Sequence, residues 1–298
     1  MPNSALIVVN YGSSELLRQN LRAVSTAVPE IAVYVVDCFS TEAEQAAVGD
    51  LAEGCGWHPV LLSENVGFGA GVNRGAELAL SRGAEVLLVL NPDAVLDRCA
   101  VLGLIEAVNR EPMSMVAPRV VRPDGSTWAE AMDLHLDDGS IAAERFRARH
   151  PGRPRRRWLS GACFAISAQL WRRIGGFDED YFLYWEDVDL SYRVLAAGGE
   201  LVVDHSILAT HDEGGTQRTA DSAQRRSNLF YYYNIRNRLL YAGKNLDPDA
   251  RRAWRRSSLR AGVQTVWGGE RRGALKAAGP WIALARGLRD GIKGRAGR

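Results

Sequence analysis

The first ninety residues alternate short apolar, often β-branched runs with longer amphipathic stretches, and that alternation limits the folds open to the chain. Residues 5–9, 33–36, 57–62 and 85–90 read as buried strands. Helices are expected from Ser14 to about Val28, from Thr41 to Glu53, and from a Gly-rich turn at 65–71 to near Gly83. This order predicts an α/β fold, a mainly parallel central sheet with helices on both faces. Ligands in such sheets gather at the carboxyl ends of the strands. Tyr11, Asp37 and Asp93 all fall at those ends.

Further along, residues 133–157 are charged and read as an exposed loop near the mouth of a site. A strand over 158–166, a helix over 167–174, a helix over 188–197 and short strands at 201–203 and 207–210 follow. A long Tyr- and Arg-rich helix is expected over 222–245, with basic helical sequence after Arg251. The expected organisation is a catalytic domain over 1–220 and a basic helical extension over 221–298. The first has a nucleotide-binding half (1–125) and an acceptor half (126–220).

The 298 residues are 46% hydrophobic, enough for a substantial core. The net charge of +2 hides an asymmetry. Residues 251–298 hold 13 basic side chains against Glu270 and Asp290, a net +11, which leaves −9 on the remainder. A basic tail on an acidic body suits a polyanion or an anionic surface. Its Trp254, Trp267 and Trp281 favour a membrane interface over nucleic acid. A solvated pair of basic helices is the plain alternative. Neither a leader nor a run long enough to span a bilayer is evident, so a cytoplasmic protein, soluble or peripheral, is expected. Cys38, Cys55, Cys99 and Cys163 match no zinc spacing and read as buried free thiols.

Several residues can carry chemistry. Asp93, in Leu90-Asn91-Pro92-Asp93, can hold a divalent cation that bridges two phosphates; it can also be a turn residue. Asp37 can accept from a base imide or a ribose hydroxyl, or cap the next helix. In Trp185-Glu186-Asp187-Val188-Asp189, three carboxylates within four residues repel one another and raise each other's pKa, which suits a general base. Tyr181, Phe182, Tyr184 and Trp185 offer a stacking wall for a sugar. The plain alternative is an acidic first turn favoured by the helix dipole. His211 is a metal ligand or a structural histidine. The glycines at 67, 69, 71 and 75 lack the dinucleotide spacing and follow the third strand, which argues against a dehydrogenase. They still allow a nucleotide sugar to approach the backbone closely.

Together these pieces resemble the family 2 inverting glycosyltransferases of GT-A fold, and within them the rhamnosyltransferase branch that builds cell-surface polysaccharides. The matching pieces are Val8-Val9-Asn10-Tyr11, Val35-Val36-Asp37, Asn65-Val66-Gly67-Phe68, Asn73-Arg74-Gly75, Leu90-Asn91-Pro92-Asp93, Gly161-Ala162, Gly175-Gly176-Phe177-Asp178-Glu179, Tyr184 to Leu190, and His211. The resemblance implies roles. Asp37, with Asn10 and Tyr11, meets the base; Asn65, Gly67 and Asn73 line the nucleoside pocket. Asp93, with Asn91 before it, and His211 hold Mg2+ or Mn2+. Asp187 is the base and Glu186 its competitor. Asp178, Glu179, Trp185 and Arg236 lie on the acceptor side. The implied donor is dTDP-rhamnose, then a UDP-sugar. The acceptor is a hydroxyl compound, lipid-linked or a small natural product. Cys38 stands where the family usually has Asn. A non-catalytic nucleotide-sugar-binding scaffold and a nucleotidyltransferase are the alternatives. The first predicts loss of Asp93 or Asp187, and the second needs a basic phosphate loop after the first strand; the sequence has neither feature.

Overall fold

The structure is a computed structural model that describes residues 3–211, 227–269 and 277–298. β1 (Ser4–Asn10) leads into α1 (Ser14–Leu16), a π-helical turn at Leu17–Leu21 and α2 (Arg22–Ala27). β2 (Ala32–Asp37), α3 (Glu42–Cys55), β3 (His58–Leu61), α4 (Phe68–Ser81) and β4 (Val86–Leu90) complete the alternation. Thr41, not Asp37, caps α3, its side chain accepting from the Glu44 N–H.

Between 94 and 132, which the periodicity above does not assign, lie β5 (Ala94–Val95), α5 (Arg98–Arg110), β6 (Ser114–Val121) and β7 (Thr127–Ala129). Then come β8 (Met132–His135), β9 (Ile141–Ala143), β10 (Arg155–Trp158), β11 (Cys163–Ser167), α6 (Ala168–Ile174), α7 (Glu186–Ala196) and β12 (Glu200–His211). The last elements are α8 (Asn228–Asn245), α9 (Pro248–Gly269) and α10 (Ala278–Ile292).

The main sheet runs β3-β2-β1-β4-β11-β6-β12-β5, with β7 on β6. Its first four strands are parallel; β11 pairs antiparallel with β4 and β6, β12 pairs parallel with β6, and β5 antiparallel with β12. Period-two alternation splits β1 between two cores. Leu6 and Val8 face a cluster with Leu17, Leu21 and Leu104, while Ile7 and Val9 face one with Val72, Ala76 and Leu170. Each fully buried aliphatic side chain contributes roughly 1.5–3 kcal/mol, so these two layers hold the parallel half together.

Two expectations are corrected. Residues 133–157 are not an exposed loop, because β8, β9 and β10 form a separate three-stranded sheet. Ion pairs replace apolar alternation there: buried Asp133 takes two hydrogen bonds from Arg147, at 2.7 and 2.8 Å. The strands expected at 201–203 and 207–210 are one strand, β12, with a register shift between Asp204 and Leu208.

The cysteines are free as expected, but Cys99 is exposed and only Cys38 and Cys163 are buried. The 220/221 boundary falls outside the described residues. α8 to α10 pack together around Tyr231, Ile235, Val266 and Leu284. α8 also shares a cluster with Tyr181, Trp185 and Val188 of the acidic segment.

Candidate functional site

The carboxyl ends of β1, β2 and β4 lie on one edge of the sheet, since Asn10 pairs in register with Asp37 and β4 runs parallel beside β1. Asp37 is fully buried. Its Oδ1 accepts from Asn10 Nδ2 at 2.8 Å and its Oδ2 from Gln45 Nε2 at 3.4 Å. Each oxygen thus has one protein partner and keeps further acceptor capacity for a ligand. The open group at this edge is Tyr11, 53% exposed.

The Gly-rich loop follows. Asn65 Oδ1 accepts from the Gly67 N–H at 2.9 Å and fixes the turn into α4. Gly67 has φ +88°, and a Cβ there would lie 2.1 Å from the Phe182 carbonyl oxygen. Only glycine fits that approach. On α4, a Cβ at Gly75 would lie 2.7 Å from Ile7 Cγ2, and one at Gly71 would lie 2.9 Å from Val9 Cγ1. These glycines serve helix–sheet and loop–loop contact. Asn73 donates to the Phe177 carbonyl at 2.9 Å and to Glu179 at 3.0 Å, and accepts from the Phe177 N–H at 2.8 Å, so it staples α4 to the segment before α7.

Beyond β4 the chain turns sharply. The Asn91 N–H donates to the Ala162 carbonyl at 2.8 Å, and Asn20 Nδ2 donates to the Pro92 carbonyl at 2.9 Å. Asp93 is buried within this turn. It does not cap α5, which Asp97 does. Ala94, the next residue, pairs in register with His211. Strand pairing thus brings His211 beside Asp93, although the two are far apart in sequence. The His211 side chain lies outside the described residues. Among the described residues no three His, Cys, Asp or Glu side chains gather as a metal site. A carboxylate next to the backbone position of an imidazole nonetheless fits a Mg2+ or Mn2+ ion in ligand type.

The second wall comes from the start of α7. Tyr184 and Trp185 both hold left-handed backbone, at φ +65° and +74°. For bulky side chains this costs of order 1–3 kcal/mol each, and such strain persists only where neighbours impose it. The neighbour here is Asn237 of α8, whose Nδ2 donates to the Leu183 carbonyl at 2.9 Å and the Tyr184 carbonyl at 2.7 Å.

The bend delivers Glu186 and Asp187 into the first turn of α7. Asp187 Oδ2 accepts from the Gly161 N–H at 3.1 Å, and Oδ1 from the Val188 N–H at 2.8 Å. Gly161 precedes Ala162, the residue bonded to Asn91, so two short loops join Asp187 to the Asp93 turn. Burial pushes the Asp187 carboxyl up to about 6. Its N–H donors and the helix start pull the other way without cancelling that effect. Glu186 is 6% exposed, and its Oε2 has no hydrogen-bond partner among the described residues. Burial first, and the Asp187 charge second, hold its pKa well above the ordinary range.

Other residues expected on the acceptor side are taken up elsewhere. Asp178 and Asp180 both pair with Lys244, and Glu179 is bidentate with Arg74 at 3.0 and 3.2 Å. Trp185 is buried against Tyr241 and Trp254, with ring centroids 5.6 and 6.1 Å away, so it is a core residue and not a stacking wall. Tyr181 and Phe182 are buried too. Arg236 is 1% exposed; it donates to the carbonyls of Gly297 and Asp180 and to Asn237 Oδ1, and so braces the acidic segment from inside. The sequence reading missed Asn237, Lys244 and Asn245. A Tyr/Asn/Arg-rich helix gave no sign that its polar face would turn inward.

Known proteins resemble the chain in sequence and in fold. The N-acetylglucosaminyl-diphospho-decaprenol L-rhamnosyltransferase of Mycobacterium tuberculosis is 29% identical over 218 residues, 65% of this chain and 70% of that protein. A mannosyltransferase from Pyrobaculum calidifontis, solved with GDP-Man and Mn2+, superposes with a TM-score of 0.56 at 16% identity. The match covers 99% of this chain and 84% of that one. GalNAc-T7, solved with UDP, GalNAc and Mn2+, gives a TM-score of 0.55 at 16% identity over 71% of this chain; the chain spans 44% of that longer protein. These likenesses show the GT-A fold. Residues 5–174 match the family described as Glycosyl transferase family 2, and the chain belongs to that family of glycosyltransferases.

Proposed function

We propose that this glycosyltransferase moves one sugar, with rhamnose the first choice, from a nucleotide-diphosphate donor to a hydroxyl of a lipid-linked glycan acceptor, with inversion. The observation that carries the reading is Asp187, a carboxylate with a raised pKa at a strained helix start, tied through Gly161 and Ala162 to the Asp93 turn. The M. tuberculosis relative, by its name a rhamnosyltransferase acting on a diphospho-decaprenol compound, supports dTDP-rhamnose ahead of a UDP-sugar.

In the proposed mechanism, Tyr11 stacks on the base while the Asn10–Asp37 pair orients it. Asp93 and His211 would hold Mg2+ or Mn2+, which offsets charge on the departing diphosphate. Asp187 accepts the acceptor hydroxyl proton as that oxygen attacks the anomeric carbon. The bond from that carbon to the diphosphate oxygen breaks on the opposite face, and the nucleoside diphosphate leaves. Glu186 beside it is held at a raised pKa by burial and by the Asp187 charge, which makes Asp187 the readier of the two to ionise.

A contact with the inner face of the plasma membrane belongs to the same reading. Arg252, Arg256, Leu259, Arg260 and Trp267 recur at helical spacing on one exposed face of α9. Trp254 is not part of it, being buried with its indole N–H on the Leu136 carbonyl at 2.7 Å. Among the described residues no helix is long and apolar enough to cross a membrane.

The test supplies purified protein with dTDP-rhamnose or UDP-sugars, Mg2+ or Mn2+, and a prenyl-diphospho-N-acetylglucosamine, and reads mass gain on the acceptor. Absence of transfer from every donor, or equal turnover by Asp187→Asn, would end the reading.

A further inference from the structure

Three guanidinium groups meet around the adjacent Tyr232 and Tyr233 of α8. Arg236 lies 4.8 Å from the Tyr233 ring centroid and Arg286 of α10 lies 5.6 Å from that of Tyr232. Arg298 lies 5.8 Å from the ring centroid of Phe182, which stacks on Tyr233 at 5.2 Å. Each charge thus stands over a different ring of one aromatic group, and all three pull down the Tyr233 phenol pKa that burial raises.

Like charges brought this close repel unless an anion offsets them. Among the described residues no carboxylate side chain is paired with Arg236, Arg286 or Arg298. Arg236 is satisfied by uncharged oxygens, and among the described residues Arg286 and Arg298 form no ion pair. The carboxylate of Asp290 is already taken by Arg289, Arg295 and the Tyr232 hydroxyl. Most other arginines that have partners among the described residues sit on carboxylates, as in Arg74–Glu179, Arg147–Asp133 and Arg193–Asp189. Arg286 and Arg298 are exposed while Arg236 backs them from inside. The cluster also adjoins the site, because the Phe182 carbonyl accepts from the Phe68 N–H at 3.2 Å in the Gly-rich loop.

We infer that Arg286 and Arg298, seated on Tyr232 and Phe182, form a diphosphate-binding subsite for the acceptor. This rests on the lipid-linked acceptor proposed above and adds the residues that recognise its head. Guanidinium groups suit phosphate oxygens by their fork of donors, and the rings beneath limit their freedom. The subsite takes over the role that Arg236 cannot fill from the interior.

The probe is inorganic pyrophosphate, titrated calorimetrically into the full chain with EDTA present, so that metal-assisted binding on the donor side is removed. The cluster variant is Arg286→Gln with Arg298→Gln; the control is Arg256→Gln with Arg260→Gln on α9. The expected result is at least a tenfold loss of pyrophosphate affinity in the cluster variant, with the control unchanged and both melting like the parent. A second arm measures sedimentation with phosphatidylglycerol vesicles, which the cluster variant should keep. Unchanged pyrophosphate affinity, an equal loss in the control, or loss of vesicle binding alone would overturn the subsite. The last result would identify a lipid-headgroup contact instead. Intact pyrophosphate binding without sugar transfer would sink the proposed reaction and leave the subsite standing.

Discussion

Two acidic segments eight residues apart in sequence meet opposite fates. In Asp178-Glu179-Asp180 every carboxylate has a cation, Lys244 for the two aspartates and Arg74 for the glutamate. In Glu186-Asp187 neither carboxylate has one among the described residues, and burial raises both pKa values. Asp189, two residues on, returns to the first pattern with Arg193 at 2.7 Å and Asn245 at 2.8 Å. Clustering of acids alone therefore does not raise their pKa values; burial without counter-charges does. Holding Glu186-Asp187 buried without a described counter-charge costs stability, as the general-base role proposed for Asp187 would require.

The sharpest way to break the contrast is Asp187→Asn. Transfer should fall about 10³-fold through kcat while nucleotide binding stays near that of the parent. The parent's rate should fall on the acid side with an apparent pKa of about 6, because Asp187 must be ionised to take a proton. Asn237→Ala comes next. It frees two carbonyls that hold the left-handed Tyr184–Trp185 bend, and should lower stability by about 2 kcal/mol and kcat along with it, read by urea unfolding and initial rates.

Third, Asp187→Asn should make the fold more stable at pH 7.5, by about 1–3 kcal/mol. The sign follows from a folded pKa above the unfolded one. The folded state gains by holding the proton below about pH 4, and loses that gain as pH rises through about 6. The difference between variant and parent should vanish near pH 4; a difference that persists there would mean that the burial of Asp187 is not its cause. The smallest effect should come from Lys244→Met. Its ion pairs are partly solvated, so stability should drop by about 1 kcal/mol or less with kcat nearly unchanged. A large loss of rate there would erase the distinction between the two segments.

What could be read in advance follows from how local each cause is. β1, β2 and β4 were legible because both faces of the parallel half are apolar, and the residues at their ends are fixed by where the runs stop. The Glu186-Asp187 pair was legible as a local crowd of charge. The sheet at β8–β10 was not, since Arg147 and Asp133 stabilise it by pairing across the fold rather than by alternation. Trp185 and Arg236 misled for a related reason: a side chain suited to ligands is equally suited to an interior, and only distant partners such as Trp254 and Asn237 decide which it is. The second-strand Asp37 looked open from its position, but its neighbour Asn10 and Gln45 of α3 each bond one of its oxygens.

The clamp of Asn237 on the bend before α7 also sets a timetable. Protein synthesis proceeds from the N-terminus, and domains fold as their residues emerge. The strands that present Tyr11, Asp37 and Asp93 are complete well before position 237 leaves the ribosome. Until it does, the helix start carrying Asp187 lacks the contact that enforces its shape, so a nascent chain can assemble its parallel strands before that helix start is set.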